Sequence, residues 1–332
     1  MSRRIEGWPV AFYQQYRQFD LMHPPNPLPA PSTSWAGLPI ALCFGFIAFW
    51  GSENLFWSAP TDAFSLVEVL MTVAAYSLVV AAVLGAVIWS GLGGWRALFL
   101  GGALLGWLVE GVIVGTAYEA FPFQLIWTPL AWHAAITGLV LGGICRAGPQ
   151  WRLWWHLLAL LAFGLFGAGF AQLWPLERGT MPDIAAVVVY LVGVGLLIPV
   201  CNLLLDRQRL PVTPSWLHKG AAAVLAVIWV VQLVFAPTIL RLSVPILIGV
   251  TLWTMQRLGQ RGQALPVPLG GPPAPVWRHA LFLIAPVVTS FGAVAGWENI
   301  GGMEIWPIAL LTSAFGGGMW LWLVGSAVWR KR

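Results

Sequence analysis

Long apolar stretches separated by short polar segments dominate this sequence. About ten of them are long enough to cross a bilayer, which takes roughly 20 residues per helix. Inside lipid every backbone N–H and C=O needs a partner within the chain, so such stretches fold as helices. The chain is 59% hydrophobic and 9% charged, whereas soluble domains carry about 25% charged residues. The sequence therefore predicts an all-α, polytopic, Trp-rich integral membrane helix bundle.

The segments between these stretches alternate in charge, with Arg178 and Arg241 as exceptions. The basic set comprises Arg3, Arg4, Arg17, Arg96, Arg146, Arg152, Arg207, Arg209, Lys219, Arg257, Arg261, Arg278, Arg330, Lys331 and Arg332. The acidic set comprises Glu53, Asp62, Glu68, Glu119, Glu177, Asp183, Glu298 and Glu304. Lys and Arg are retained in cytoplasmic loops. The alternation predicts a multi-pass protein of a bacterial-type inner membrane, with both termini cytoplasmic and the acidic loops periplasmic.

The predicted organisation has four parts. Residues 1–35 form a cytoplasmic N-terminal segment, 36–256 an eight-span bundle, 257–278 a Pro/Gly-rich loop and 279–332 a two-span hairpin. The spans cover 36–57, 66–90, 95–118, 121–145, 151–175, 184–205, 217–235, 237–256, 279–298 and 304–328. The seventh and eighth are separated only at Pro237, and the charge alternation requires a return crossing there.

An aromatic stripe precedes the first span. Trp8, Phe12, Tyr16 and Phe19 recur at helical spacing, which places them on one helix face. Such a helix either lies in the cytoplasmic interface or packs on the bundle, and the sequence does not distinguish the two. The net charge of +5 reflects topology and contact with anionic lipid, so no nucleic-acid partner is expected.

Glu110 and His133 are the strongest candidates for chemistry. Glu110 lies deep in the third span and His133 in the fourth, and a charge in the bilayer core is costly unless it is paired or functional. The two helices are antiparallel neighbours, so contact between the side chains is expected. A Glu–His pair suits proton transfer. The alternative for each is a neutral side chain that is hydrogen-bonded for packing.

A short internal echo marks the first and ninth spans. WGSEN and WEN each place Trp, Glu and Asn at the acidic end of a helix: Trp50, Glu53 and Asn54, and Trp297, Glu298 and Asn299. Carboxylates beside Trp faces attract cations. The echo thus predicts a cation site in which Glu53 and Glu298 face each other, as in repeat-built transporters. The alternative is that membrane interfaces collect these residue types.

The remaining polar residues give weaker signals. Arg241 is expected to pair with one of the acids. The three cysteines, Cys43, Cys145 and Cys201, are expected to be packed small residues. The sequence contains no H-E-x-x-H, G-x-S-x-G or P-loop motif, and only His133 lies deep, so no cofactor or metal is predicted.

These features favour a membrane transport or solute-binding protein. Its site would lie between spans 1, 3, 4 and 9 toward the periplasm, with a small hydrophobic or cationic ligand and membrane lipid as partners. Proton coupling through His133 fits that chemistry. One alternative is an intramembrane enzyme that acts on a lipid or isoprenoid with a Glu as general acid. A second is a non-catalytic subunit with protein partners in the membrane.

Overall fold

The structure, a computed structural model, describes residues 37–60, 65–260, 267 and 272–330. Ten helical segments in this part of the chain are long and apolar enough to cross a membrane, which confirms the predicted polytopic helical bundle. They are α1 Leu38–Trp57, α2 Leu66–Ser90, α3 Gly94–Val114, α4 Gln124–Gln150, α5 Leu153–Arg178, α6 Ile184–Leu205, α7 Trp216–Phe235, α8 Ile239–Leu258, α9 Val276–Ile300 and α10 Trp306–Trp329. The predicted N-terminal helix lies outside the described residues, as does most of the loop 257–278.

Hydrogen bonds between helix termini define two ends of the bundle. At the basic end, Gln260 N donates to Gly91 O (3.0 Å) and Arg278 Nη2 to Trp151 O (2.5 Å). At the acidic end, Trp174 Nε1 donates to Phe56 O (3.0 Å). These bonds join the end of α2 to the end of α8, the start of α5 to the start of α9, and the end of α1 to the end of α5. Each pair is consistent with the alternate directions that the charge pattern predicts.

Local sequence explains where several helices end. α3 stops at Val114, four positions before the predicted end, because Gly115 adopts φ 94°, a left-handed conformation that glycine tolerates. α7 and α8 are separate helices, as predicted, and Thr238 caps the second by accepting from Leu240 N (3.4 Å).

Glycines bring α3 and α4 into backbone contact. A Cβ at Gly106 would lie 2.4 Å from Pro129 Cα, and one at Gly102 would lie 2.7 Å from His133 O. Gly102 and Gly106 form the small-xxx-small pattern that allows close helix packing in membranes. On α4, Gly138 meets Leu98 O in the same way, at 2.6 Å. This pair of helices forms the centre of the bundle, and α10 packs on α4 while α9 packs on α5.

Four segments in the described residues are π-helical: Trp50–Asn54 in α1, Val109–Val114 in α3, Trp127–Leu141 in α4 and Val189–Gly193 in α6. A π-turn shifts the backbone pairing and often marks a functional site. Carbonyls in these segments accept side-chain hydrogen bonds. Gly51 O accepts from Trp132 Nε1 (3.1 Å), and Leu191 O from Trp50 Nε1 (3.0 Å). The irregular parts of α1, α4 and α6 are thus tied to one another.

Candidate functional site

A chain of hydrogen bonds crosses the centre of the bundle. Thr116 Oγ1 donates to Glu110 Oε2, and Glu110 Oε1 lies 2.9 Å from His133 Nε2. The other imidazole nitrogen, His133 Nδ1, lies 2.9 Å from Ser52 Oγ. Ser52 Oγ also lies 3.2 Å from Thr137 Oγ1. We call these five side chains, from Thr116 to Thr137, the relay. The contact that the sequence predicts between Glu110 and His133 is present.

The packing of α3 against α4 explains this contact. Side chains on a helix lean toward its N-terminus, and α3 and α4 run in opposite directions. Glu110 therefore leans toward the basic end and His133 toward the acidic end, so the two side chains point at each other. The close approach at Gly106 and Pro129 lies between them and sets the distance.

The relay is largely shielded from solvent. The His133 side chain is 3% exposed and that of Glu110 14%. Isolated charges at such a depth cost several kcal/mol. The hydrogen bond between Oε1 and Nε2 lowers that cost, because a Glu and a His that share one proton carry no net charge as a pair.

Glu53 forms a branch beside the relay. Tyr76 Oη donates to Glu53 Oε1 (2.8 Å) and Trp57 Nε1 to Glu53 Oε2 (3.2 Å). The rings of Tyr76 and His133 are 6.3 Å apart between centroids. Both carboxylate oxygens of Glu53 are therefore occupied by donors, and one of these donors, Tyr76, lies near the imidazole of the relay.

The π-helical turn that carries Glu110 is held by its neighbours. Tyr118 Oη donates to Gly111 O (2.8 Å), and Gln232 Nε2 donates to Val112 O (2.8 Å). Burial raises the pKa of Tyr118, which lies between α3 and α4, so the phenol stays protonated and remains a donor at neutral pH. Arg241 Nη1 donates to Gln232 Oε1 (2.6 Å).

Arg241 does not have the predicted acidic partner among the described residues. Its guanidinium lies 4.9 Å from the Tyr118 ring centroid, and its Nε donates to Ala236 O (2.8 Å). These contacts and the bond to Gln232 stabilise the charge through neutral acceptors and a π face. Arg241 therefore orients the groups that hold the π-helical turn, which is a positioning role.

The predicted pairing of Glu53 with Glu298 is not found. Glu298 and Asn299 are exposed at the end of α9, and Asn299 Nδ2 bonds within its own helix, to Ala295 O (2.7 Å). Glu53 instead faces α2. The physical reason is packing: α9 lies on α5, where Trp297 Nε1 donates to Ala171 O (2.8 Å).

The predicted aromatic walls are also packing residues. Trp50 is fully buried, and Asn54 beside it donates to Tyr190 O (3.0 Å). Arg178, a cation of the chain itself, lies 5.3 Å from the ring of Trp57. The two halves of the echo therefore have different partners, since Glu53 accepts from Tyr76 and Trp57 and Glu298 is exposed.

Sequence reasoning did not single out Ser52, Tyr76 or Thr137. Each is a hydroxyl in an apolar helix, which is a weak signal alone. Ser52 adjoins Glu53, and Thr137 follows His133 by one helical turn on the same face. Counting hydroxyls within one turn of the deep ionisable residues would have found both. Tyr76 belongs to α2, and no sequence pattern links it to Glu53.

A buried ionic cluster at the basic end was also not predicted. Asp206 Oδ1 lies 2.9 Å from Arg146 Nη1, and Asp206 Oδ2 lies 2.8 Å from His279 Nε2. Arg146 and His279 are buried. The sequence feature that could have revealed this cluster is Asp206, an acidic residue in an otherwise basic segment. The cluster joins α4, α6 and α9 and is separate from the relay.

Comparison of the chain with protein-family models, curated proteins and solved structures finds no match in any of the three. Within the described residues, no group of three or more His, Cys, Asp or Glu side chains is placed to hold a metal ion.

Proposed function

We propose that this protein is a proton-coupled membrane transporter in which Glu110 and His133 are the proton-binding site. One observation carries the proposal: a carboxyl and an imidazole in the membrane interior share a hydrogen bond and continue on both sides into hydroxyl groups. Intramembrane ionisable residues of this kind form proton relays in pumps and transporters. A neutral Glu–His hydrogen bond that serves only helix packing does not need further hydroxyl groups on both sides.

The relay approaches the acidic end but not the basic end. Thr116 lies in the turn that follows α3, close to the acidic surface. Thr137, at the other end, lines a cavity of about 80 Å³ between α1, α2, α3 and α4, where it is the one polar side chain among residues such as Val87, Leu98 and Leu105. Water in a cavity needs polar partners, so a continuous proton path to the basic end requires a conformational change. An interrupted path favours coupled transport over a proton channel.

Orientation follows from the positive-inside rule. The basic end would face the cytoplasm of a bacterial-type inner membrane, with both termini on that side. The relay would then lie in the periplasmic half of the bilayer and take its proton from the periplasm through Thr116.

A pH jump on protein-containing vesicles adsorbed to a sensor electrode tests the proposal without a known substrate. Wild type should give a transient displacement current as the buried site binds protons. Glu110→Gln should abolish it and His133→Asn should reduce it strongly. Glu119→Gln, which changes an exposed acid near the same helix end, should behave as wild type. A current that Glu110→Gln leaves unchanged would refute the proposed site, and a sustained current would indicate a channel.

One observation supports a second candidate, an intramembrane serine hydrolase acting on lipid. Ser52 Oγ and the Glu110 carboxyl contact opposite nitrogens of His133, an arrangement that activates serine nucleophiles. Ser52 is only 5% exposed, and it does not line the large apolar cleft described below. Labelling of Ser52 by a fluorophosphonate probe would favour the hydrolase, whereas an unlabelled Ser52 in a protein with the displacement current would favour transport.

A further inference from the structure

A large apolar cleft lies between α2, α3, α7 and α8. Its volume is about 640 Å³, within the range of roughly 300–1,000 Å³ that small-molecule sites occupy. The cleft is partly open, and its lining includes Leu104, Leu108, Leu225 and Ile248. α7 and α8, which form part of its wall, are largely exposed, so in a membrane they would contact lipid and the occupant can enter from the bilayer.

The basic end of the cleft is polar and positive. Lys219 is the one charged residue in the lining, which contains no carboxylate. It is exposed. His218 lies beside it, buried at 2% exposure. His218 Nδ1 accepts from Ser215 N (3.0 Å), so the neutral ring carries its proton on Nε2. That Nε2 has no hydrogen-bond partner among the described residues and lies against Gly37, just before α1, so Lys219 is the group that faces a headgroup.

We propose that this cleft is a binding site for an anionic phospholipid. One acyl chain lies along the apolar lining, and the phosphate lies at the basic end beside Lys219. The length of the lining, from Pro214 at the basic end to Val112 and Val244 toward the acidic end, suits a chain rather than a compact solute. The single cation at one end matches a headgroup with one net negative charge and disfavours a cationic ligand, since no acid is present to receive it. This proposal does not depend on proton coupling.

The site adjoins the π-helical turn that carries Glu110. Leu108 and Val112 flank Glu110 in sequence and both line the cleft, and α7 holds the turn through the bond from Gln232 to Val112 O. A chain in the cleft therefore fills the space between that turn and the peripheral pair α7 and α8. Bound lipid should stabilise the packing of this pair on the bundle.

Native mass spectrometry tests the proposal. The protein is extracted from vesicles of phosphatidylcholine that contain a minor fraction of phosphatidylglycerol with the same acyl chains. Wild type should retain phosphatidylglycerol well above its share in the vesicles. Gly249→Leu should abolish this enrichment, because Gly249 lines the cleft and has open space beside it. Gly325→Leu, at a glycine that also has open space but lies outside the cleft, should match wild type.

Lys219→Gln keeps the apolar lining and removes the charge. In this variant, the ratio of phosphatidylglycerol to phosphatidylcholine bound to the protein should equal their ratio in the vesicles, and some lipid should remain bound. Thermal unfolding of each variant checks that the bundle is intact. Enrichment of phosphatidylglycerol that survives both Gly249→Leu and Lys219→Gln would overturn the proposal, and so would equal retention of the two lipids by wild type.

Discussion

Among single residues, the neighbours of a side chain decide its chemistry. Glu110 and His133 could be predicted from the sequence, because an ionisable group in an apolar helix is costly and therefore conspicuous. Glu53 and Glu298 have nearly the same sequence context, but Glu53 accepts from Tyr76 and Trp57 while Glu298 is exposed. That difference depends on which helix each one faces, and local sequence does not contain it.

Ser52→Ala tests the middle of the relay. The substitution removes the partner of His133 Nδ1 and of Thr137 Oγ1. Leaving buried polar groups unpaired costs about 1–3 kcal/mol, so the melting temperature in detergent should fall and the pH midpoint of the displacement current should shift. Ser326→Ala changes a partly exposed hydroxyl that donates within its own helix, to Trp322 O, and should do neither. If the displacement current of Ser52→Ala has the wild-type pH midpoint, Ser52 does not take part in proton binding by the relay.

Asp206→Asn tests the ionic cluster. Arg146 would keep its charge in a buried position without its carboxylate. Removing one partner of a buried ion pair typically costs about 3–5 kcal/mol, so we expect a large loss of thermal stability or of folded yield. Asp183→Asn is the matched control, because Asp183 caps α6 at the surface and Asn caps equally well. Equal melting temperatures for the two variants would contradict the structural role of the cluster.

At the scale of elements, the close packing of α3 and α4 positions the site. Gly102 and Gly106 have small-xxx-small spacing, but that spacing does not say which helix packs against them. The π-helical turns could not be predicted either, because a single shifted hydrogen bond depends on tertiary contacts such as those of Gln232 and Tyr118. The ends of most helices were predicted to within three residues. Two ends differ by more: α3 ends four residues early because Gly115 stops it, and α4 ends five residues late, at Gln150.

Gly106→Ala tests this packing. The new methyl group would lie 2.4 Å from Pro129 Cα, a backbone atom that cannot move aside alone. Overpacking of this kind costs about 1–3 kcal/mol, and separation of the helices should also weaken the Glu110–His133 contact. Both the melting temperature and the displacement current should therefore fall. Gly143→Ala, at a glycine of α4 with open space beside it, should leave the melting temperature and the current unchanged. If Gly106→Ala also leaves both unchanged, the described contact is contradicted.

At the scale of the whole molecule, composition and charge predict most of the architecture. The ten spans and their alternate directions follow from apolar length and from the positions of Lys and Arg. The arrangement of helices around the relay does not follow, since α2 contributes Tyr76 while α9, which was expected at the site, lies mainly on α5 with its Glu298 exposed. Which helices pack side by side in a membrane depends on the shape of their surfaces, and hydropathy does not describe that shape.

Cysteine labelling tests the orientation. In a background without Cys43, Cys145 and Cys201, Thr180→Cys at the acidic end should react with an impermeant thiol reagent added to intact cells. Arg209→Cys at the basic end should react only after the membrane is opened. Both positions are exposed, so accessibility alone does not separate them. The reverse pattern would invert the proposed topology and would place the relay in the cytoplasmic half.

The most direct measurement of the central claim, that the Glu110–His133 pair binds and releases a proton, is a pH-induced infrared difference spectrum of the purified protein. The account predicts a carboxyl C=O band that Glu110→Gln removes, that His133→Asn shifts in frequency or in pH midpoint, and that Glu119→Gln leaves unchanged. The same band in wild type and Glu110→Gln, across the whole range in which the protein stays folded, would contradict it.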